Sequence, residues 1–174
     1  MAEIAQYGIV ADTNRFMYEN TTPDTLRIFA ELMGISEIDM ENFCYNSQKF
    51  PRESIPFLIE FLKNIKIDGD MAYTFSENTD EESRTALNEA VRFFVNNILR
   101  YIQGVHWGFL VKSKKTKRLW GIGFRGTKGY QTVKKFAEEL DGGGHGLAAG
   151  AEVKADTAEE AIEKVLQVVN RLKD

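Results

Sequence analysis

Hydrophobic positions follow one rhythm up to about Leu62 and another after it. The opening run Ile4 to Ala11 is mostly apolar and stops at Asp12; a buried strand and a helix end both fit it, because periodicity does not separate the two over so short a run. Asn14 to Thr22 is polar and aromatic, which predicts a loop. Thr22-Pro23 then predicts a helix start, with threonine as the cap and proline in the first turn, where its missing N–H costs nothing. Leu26, Phe29, Ala30 and Met33 share one face of that helix, and Gly34 is its expected end. Two further helical stretches follow, about Glu37 to Tyr45 and about Arg52 to Leu62.

Beyond Leu62 the spacing shortens. Ile65 and Ile67 alternate with polar residues, Asp68-Gly69 predicts a turn, and Met71, Tyr73 and Phe75 alternate again, which together predict a hairpin. Thr79 is read as the cap of a long helix with Leu87, Ala90, Val91, Phe94 and Ile98 on its apolar face. Two strands come next, about Val105 to Lys112 and Leu119 to Phe124, joined by the polar run Ser113 to Lys117. A helix from about Tyr130 to Leu140, a glycine cluster and a short strand near Ala151 to Lys154 complete the alternation. The final helix opens with Thr157 and Glu160 in capping-box spacing and turns Ala161, Ile162, Val165, Val169 and Leu172 inward. The expectation is an α/β chain with a mixed sheet, divided near Leu62 into residues 1–62, which are helical, and 63–174.

Composition narrows the possibilities. The 174 residues suffice for one domain or two small ones, and 43% hydrophobic with 28% charged is an ordinary globular balance. A net charge of -4 excludes a polycation, so any nucleic-acid contact has to come from a local basic surface. Cys44 is the single cysteine and there are two histidines, so neither a disulfide nor a zinc site of its own is available. That usage fits a reducing, cytoplasmic setting. The start MAEIAQYGIV lacks the basic-then-apolar form of a secretory signal, and no stretch reaches the length of a membrane span.

The sharpest local feature is Asp141-Gly142-Gly143-Gly144-His145-Gly146. Three consecutive glycines free the backbone to approach a ligand, and exposed N–H groups there can cradle a phosphate. His145 adds a ring N–H or a proton shuttle; a plain helix C-cap with a structural histidine is the simpler reading of the same letters. Arg125 ends a strand and is followed by Gly126-Thr127-Lys128-Gly129, a setting suited to bidentate phosphate binding as well as to a solvated turn. Asp12 closes a buried segment, where a carboxylate ligates a hard cation or caps a turn. Lys112, Lys114, Lys115, Lys117 and Arg118 form a basic run read mainly as a solvated hairpin tip with a minor attraction for phosphate. His106 and Cys44 are read as structural. Phe124 and Tyr130 flank Arg125 and suit either base stacking or core packing.

Taken together these residues resemble the DHH phosphoesterase family, in its oligoribonuclease and 3′-phosphoadenosine 5′-phosphate phosphatase branch. Gly8-Ile9-Val10-Ala11-Asp12-Thr13-Asn14-Arg15-Phe16 resembles the last metal-binding motif of the DHH domain, and Asn20 to Leu26 continues the match. Phe124-Arg125-Gly126 and Gly142-Gly143-Gly144-His145 resemble the DHH-associated substrate-binding domain. Asn14 stands where the family often has glycine, Gly126-Thr127 where serine often follows the arginine, and Gly146 where proline commonly follows the histidine.

The resemblance implies a helical remnant of the metal-binding domain followed by a mixed-sheet substrate-binding domain. Arg125, Gly142, Gly143, Gly144 and His145 would bind a short RNA or nucleotide. It also implies a reaction at two manganese or magnesium ions, with Asp12 as one ligand among several. The aspartate-histidine-histidine triplet that names the family is not in the sequence. The chain is therefore expected to be inactive alone, to bind no ion alone, and to need a DHH half supplied in cis or in trans. It is also expected to expose apolar surface on residues 1–62. A non-catalytic nucleic-acid-binding module and a cyclic-dinucleotide phosphodiesterase of the same superfamily are the alternative functions.

Overall fold

The structure, a computed structural model, describes residues 1–18 and 20–173, and it divides into two units, 1–49 and 50–174. The first unit holds three helices: α1 (Ala2–Asp12), α2 (Pro23–Ile35) and α3 (Met40–Gln48). The opening run is thus a helix and not a strand. The Thr22 hydroxyl accepts from the Thr25 N–H while the Thr25 hydroxyl accepts from the Thr22 N–H, so the predicted cap closes reciprocally. Among the described residues of this unit only Val10, Phe29 and Ile38 are buried apolar residues, with Tyr7, Phe16 and Phe43 packed around them. Gln6 is buried as well and spans α1 to the end of α2, its amide donating to the Ser36 carbonyl at 2.6 Å. Of the face read from the sequence, Phe29 is buried, whereas Leu26, Ala30 and Met33 remain exposed together with Ile4, Ile28 and Ile35. A three-residue core is too small to cover so much apolar helix surface.

The second unit begins ahead of the expected boundary. A 3-10 turn (Arg52–Ser54) leads into α4 (Ile55–Asn64), whose Phe57, Leu58 and Phe61 are buried in the core of this unit. Phe50 packs on Phe93 with ring centroids 4.5 Å apart, and the Ser54 hydroxyl donates to the Ala86 carbonyl. The division therefore falls between Lys49 and Phe50, not near Leu62. The helical rhythm continues through α4, but its apolar face belongs to the sheet.

That sheet has six strands in the order β1-β2-β3-β4-β6-β5: β1 (Lys66–Asp68), β2 (Met71–Ser76), β3 (Trp107–Ser113), β4 (Leu119–Gly126), β5 (Gly143–His145) and β6 (Ala148–Lys154). All pairs are antiparallel except β2 with β3, which run parallel with α5 (Arg84–Asn97) as the crossover. Gly69 makes the predicted β1–β2 turn with φ of 58°. Thr79 does not cap α5; the helix starts at Arg84. Asx turns occupy the residues before it, with Asn78 accepting from the Asp80 N–H and Asp80 accepting from the Glu82 and Ser83 N–H groups.

The two faces of the sheet are packed unequally. Trp107, Phe109 and Val111 of β3, Trp120, Ile122 and Phe124 of β4, and Ala149, Ala151 and Val153 of β6 form one core with α6 (Lys134–Glu139) and α7 (Ala158–Leu172). On the other face α4 and α5 cover β2 and β3 through Ala72 and Leu110. No residue of β4, β5 or β6 belongs to that second core. On this face α5 reaches the edge of β4 through Asn96 and Arg125, and the part over β4, β5 and β6 has no apolar helix packed on it.

Candidate functional site

That part of the sheet face is floored by glycine. Strand β4 alternates Trp120, Ile122 and Phe124 on the packed side with Gly121, Gly123 and Arg125 on the open side, as the two-residue period of a strand requires. The register carries this across the neighbouring strands. Gly123 lies beside Gly150 of β6, which lies beside Gly143 of β5; Arg125 lies beside Ala148, which lies beside His145. Partners in register share a face, so Arg125 and His145 project from the open side with only the Ala148 methyl between them. Two strand spacings separate their backbones by about 10 Å.

A cavity of about 590 Å³ runs over this floor, within the usual range for sites that hold small molecules. Val91 of α5 is on one wall, Asp141 and Gly142 are on the other, and Lys112, Lys114 and Glu152 are at one end. Arg125 and His145 lie one register row beyond its opposite end. A Cβ built on Gly123, which lines the groove, or on Gly143 beside it in the register would meet nothing within 4 Å. Those two positions leave room for a ligand to approach the backbone.

Helix α5 supplies polar groups at both ends. Asn96 accepts from the Arg125 Nε at 3.1 Å, while the Arg125 Nη1 donates to the Phe124 carbonyl at 2.8 Å, which orients the half-buried guanidinium. Two turns earlier, Asn88 accepts from Lys112. Burial pushes the Lys112 ammonium below its ordinary range, and the positive charges of Lys114 and Arg84 push it further the same way. Lys114 pairs with Glu152 at 2.7 Å, Lys115 lies 3.7 Å from Glu81, and Arg118 pairs with Asp156.

The glycine triplet is partly strand. Gly143 to His145 form the edge strand β5, and the Gly142 N–H closes α6 by donating to the Ala137 carbonyl at 2.8 Å. A Cβ on Gly142 would lie 2.2 Å from the Gly150 carbonyl oxygen, and one on Gly144 would lie 2.5 Å from that of Ala148. Gly142 and Gly144 are thus required where β5 crosses close to β6, while a side chain at Gly143 would enter open space. The exposed His145 ring makes no hydrogen bond among the described residues. His106 stacks on Tyr130 with ring centroids 3.6 Å apart, and Phe124 is fully buried, so Phe124 cannot stack on a base.

Asp12 belongs to the other unit. It is exposed at the end of α1, and its carboxylate accepts from the Asn20 amide at 2.8 Å. Immediately after it, Asn14, Arg15 and Phe16 all take positive φ (47°, 62° and 65°), a tight left-handed turn that side chains other than glycine and asparagine adopt at a cost. Among the described residues no three His, Cys, Asp or Glu side chains are grouped to hold a metal ion, so Asp12 does not by itself fit a two-ion centre. No helix among the described residues is long and apolar enough to cross a membrane.

Sequence reasoning missed the open face. Its one trace in the chain is the alternation of glycine with large apolar residues over Trp120 to Arg125. It missed Asn88 and Asn96 as well, whose spacing places them on one side of α5.

The DHHA1 domain model matches residues 83–172. Two curated relatives, each a bifunctional oligoribonuclease and PAP phosphatase NrnA, are similar over most of the chain. The one from Thermus thermophilus is 28% identical over 93% of this chain and 48% of its own length. The one from Bacillus subtilis is 30% identical over 87% and 47%. The chain thus spans about half the length of these relatives. Among solved structures, an exopolyphosphatase-related protein from Bacteroides fragilis superposes with a TM-score of 0.78 at 23% identity, over 94% of this chain and 47% of that one. With the matched region reaching from the start of α5 to the end of α7 and containing both Arg125 and His145, the chain belongs to the DHHA1 domain family.

Proposed function

We propose that this chain is the substrate-binding part of a phosphoesterase that hydrolyses short oligoribonucleotides, 3′-phosphoadenosine 5′-phosphate or both. The observation that carries the reading is the row Arg125–Ala148–His145 at the mouth of a glycine-floored groove. A guanidinium held by Asn96 and an exposed imidazole are complementary donors for one phosphate, and the bare backbone beside them admits the flat body of a nucleotide. Such a site takes hold of the end of a short strand.

The relatives' names support a hydrolase, and the resemblance of the Asp12 segment to a metal-binding motif supports a two-ion manganese or magnesium reaction. Asp12 would be one ligand there, and the remaining ligands would come from a DHH half in cis or in trans. Since Asp12 alone does not make that centre, the roles assigned within this chain are binding and orientation: Arg125 and His145 fix a phosphate, and the groove fixes the attached nucleoside.

The test is a titration with a 5′-phosphorylated dinucleotide at two salt concentrations. Truncating one charged donor typically costs about 1.5–3 kcal/mol, so Arg125→Ala is expected to weaken binding by roughly one to two orders of magnitude. Replacing Lys114 and Lys115 together by alanine is expected to cost less and to act mainly through salt dependence. A larger loss in the lysine variant than in Arg125→Ala would move recognition from the groove to the basic loop.

A further inference from the structure

We infer that Lys112 forms a second anion subsite at the far end of the groove, placed to take a phosphate one dinucleotide length from the Arg125–His145 row. The inference rests on the nucleotide-binding reading of that row. Lys112 is in register with Gly121, four residues along β4 from Arg125, so the two ends of the groove are about 13 Å apart at the strand rise. Of the cavity-lining cations, Lys114 is offset by Glu152 and Lys112 is not. Lys112 makes no ion pair among the described residues, and its one hydrogen bond is to the neutral Asn88 amide oxygen.

An ammonium has three N–H donors, so two remain for a ligand. A half-buried cation with no carboxylate partner is unfavourable in the empty protein, and Lys114 and Arg84 nearby add to that cost. An incoming phosphate relieves it. Between the two ends the floor is Gly121, Gly123, Gly150 and the Leu110 side chain, which suits sugar and base, with Asp141 on the wall and the Lys114–Glu152 pair beside Gly121. The groove would therefore favour a ligand with a phosphate at each end over one with a single phosphate. Of the basic run that the sequence presents as a solvated tip, Lys112 and Lys114 line the groove, and Lys112 is the one without a carboxylate partner among the described residues.

The experiment compares adenosine 5′-monophosphate with a diadenylate carrying 5′ and 3′ terminal phosphates, titrated against wild type, Lys112→Met, Lys112→Arg and Arg125→Ala, with thermal melts to confirm folding. Lys112→Met is expected to weaken the doubly phosphorylated ligand by about tenfold to a hundredfold and to leave the monophosphate unchanged. Lys112→Arg is expected to retain most of the affinity, and Arg125→Ala to lose affinity for both ligands. Equal losses for both ligands in Lys112→Met, or none for either, overturn the second subsite while the Arg125 site stands. If wild type binds neither ligand, the nucleotide-site reading falls and takes the subsite with it.

Discussion

Gly123 and Gly142 show how differently two glycines of one site act. At Gly142 a methyl would collide with the Gly150 carbonyl, so that glycine is structural. At Gly123 a Cβ meets no protein atom within 4 Å and enters the groove. Gly123→Val is therefore expected to leave the melting temperature unchanged or raise it, since valine suits a strand better than glycine does. The same change is expected to abolish dinucleotide binding. Melting and titration of one variant check both, and retained binding would show that the groove floor is not the ligand site. Asn14 illustrates a second residue-scale constraint. The position takes φ of 47°, which explains why glycine is common there in the resembling family and why asparagine, the next most tolerant residue, is an acceptable replacement.

Among the elements, α7 carries the clearest local code. The Thr157 hydroxyl accepts from the Glu160 N–H at 3.2 Å, as the capping spacing predicts, but the Glu160 carboxylate reaches back to the N–H of Asp156 and not to that of Thr157. The hydrogen bond from Lys164, with that from the Asp156 backbone, holds the Glu160 carboxyl below its usual range. Because α7 buries Ala161, Val165 and Val169 under β3 and β6, fraying its first turn loosens the packed face of the sheet. Thr157→Ala is expected to cost about 1 kcal/mol in denaturant unfolding. Dinucleotide affinity should be unaffected, since the groove is on the opposite face. Helix α5 is the element that links fold to site: its apolar side seals β2 and β3, and Asn88 and Asn96 stand over Lys112 and Arg125.

At the scale of the whole molecule, the chain's end is tied to its first hairpin. Lys173 pairs with Asp70 at 3.0 Å and lies over the Trp107 ring. Burial by itself would raise the Asp70 carboxyl, but the hydrogen bond and charge of Lys173, with smaller contributions from Trp107 and the backbone, together hold the group below its usual range. A carboxyl depressed in the folded state contributes stability that is present above the unfolded value, near 3.8, and is lost as pH falls through the lower folded value. Both side chains are more than a third solvent-accessible, so solvent screening limits the pair to about 0–1 kcal/mol. Asp70→Asn is expected to lower the melting temperature slightly at pH 7, and the gap between wild type and variant is expected to narrow as pH falls below 3.8. A gap that stays constant as pH falls below 3.8 would assign the effect to packing and not to the ion pair.

Period and capping rules, acting on neighbours in the chain, were enough to predict the amphipathic stripes of α5 and α7, the Asp68-Gly69 hairpin, the paired strands around the Lys114 loop and the Thr22 and Thr157 caps. Arg125, His145 and the glycine triplet were legible as candidates by residue type, and the fold adds that Arg125 and His145 share one register row. Three features depended on long-range packing. A two-residue period says that Gly121, Gly123 and Arg125 share a face, but only the placement of α4 and α5 over β2 and β3 decides that this face stays open. A helical period cannot say which core receives Phe57 and Phe61, so the boundary moved ahead of α4. A lysine at the edge of a charged run reads as solvated until β4 and α5 are packed beside it and turn Lys112 into the groove. Local rules act over one or two turns of chain, whereas burial is set by whichever distant segment arrives to cover a surface.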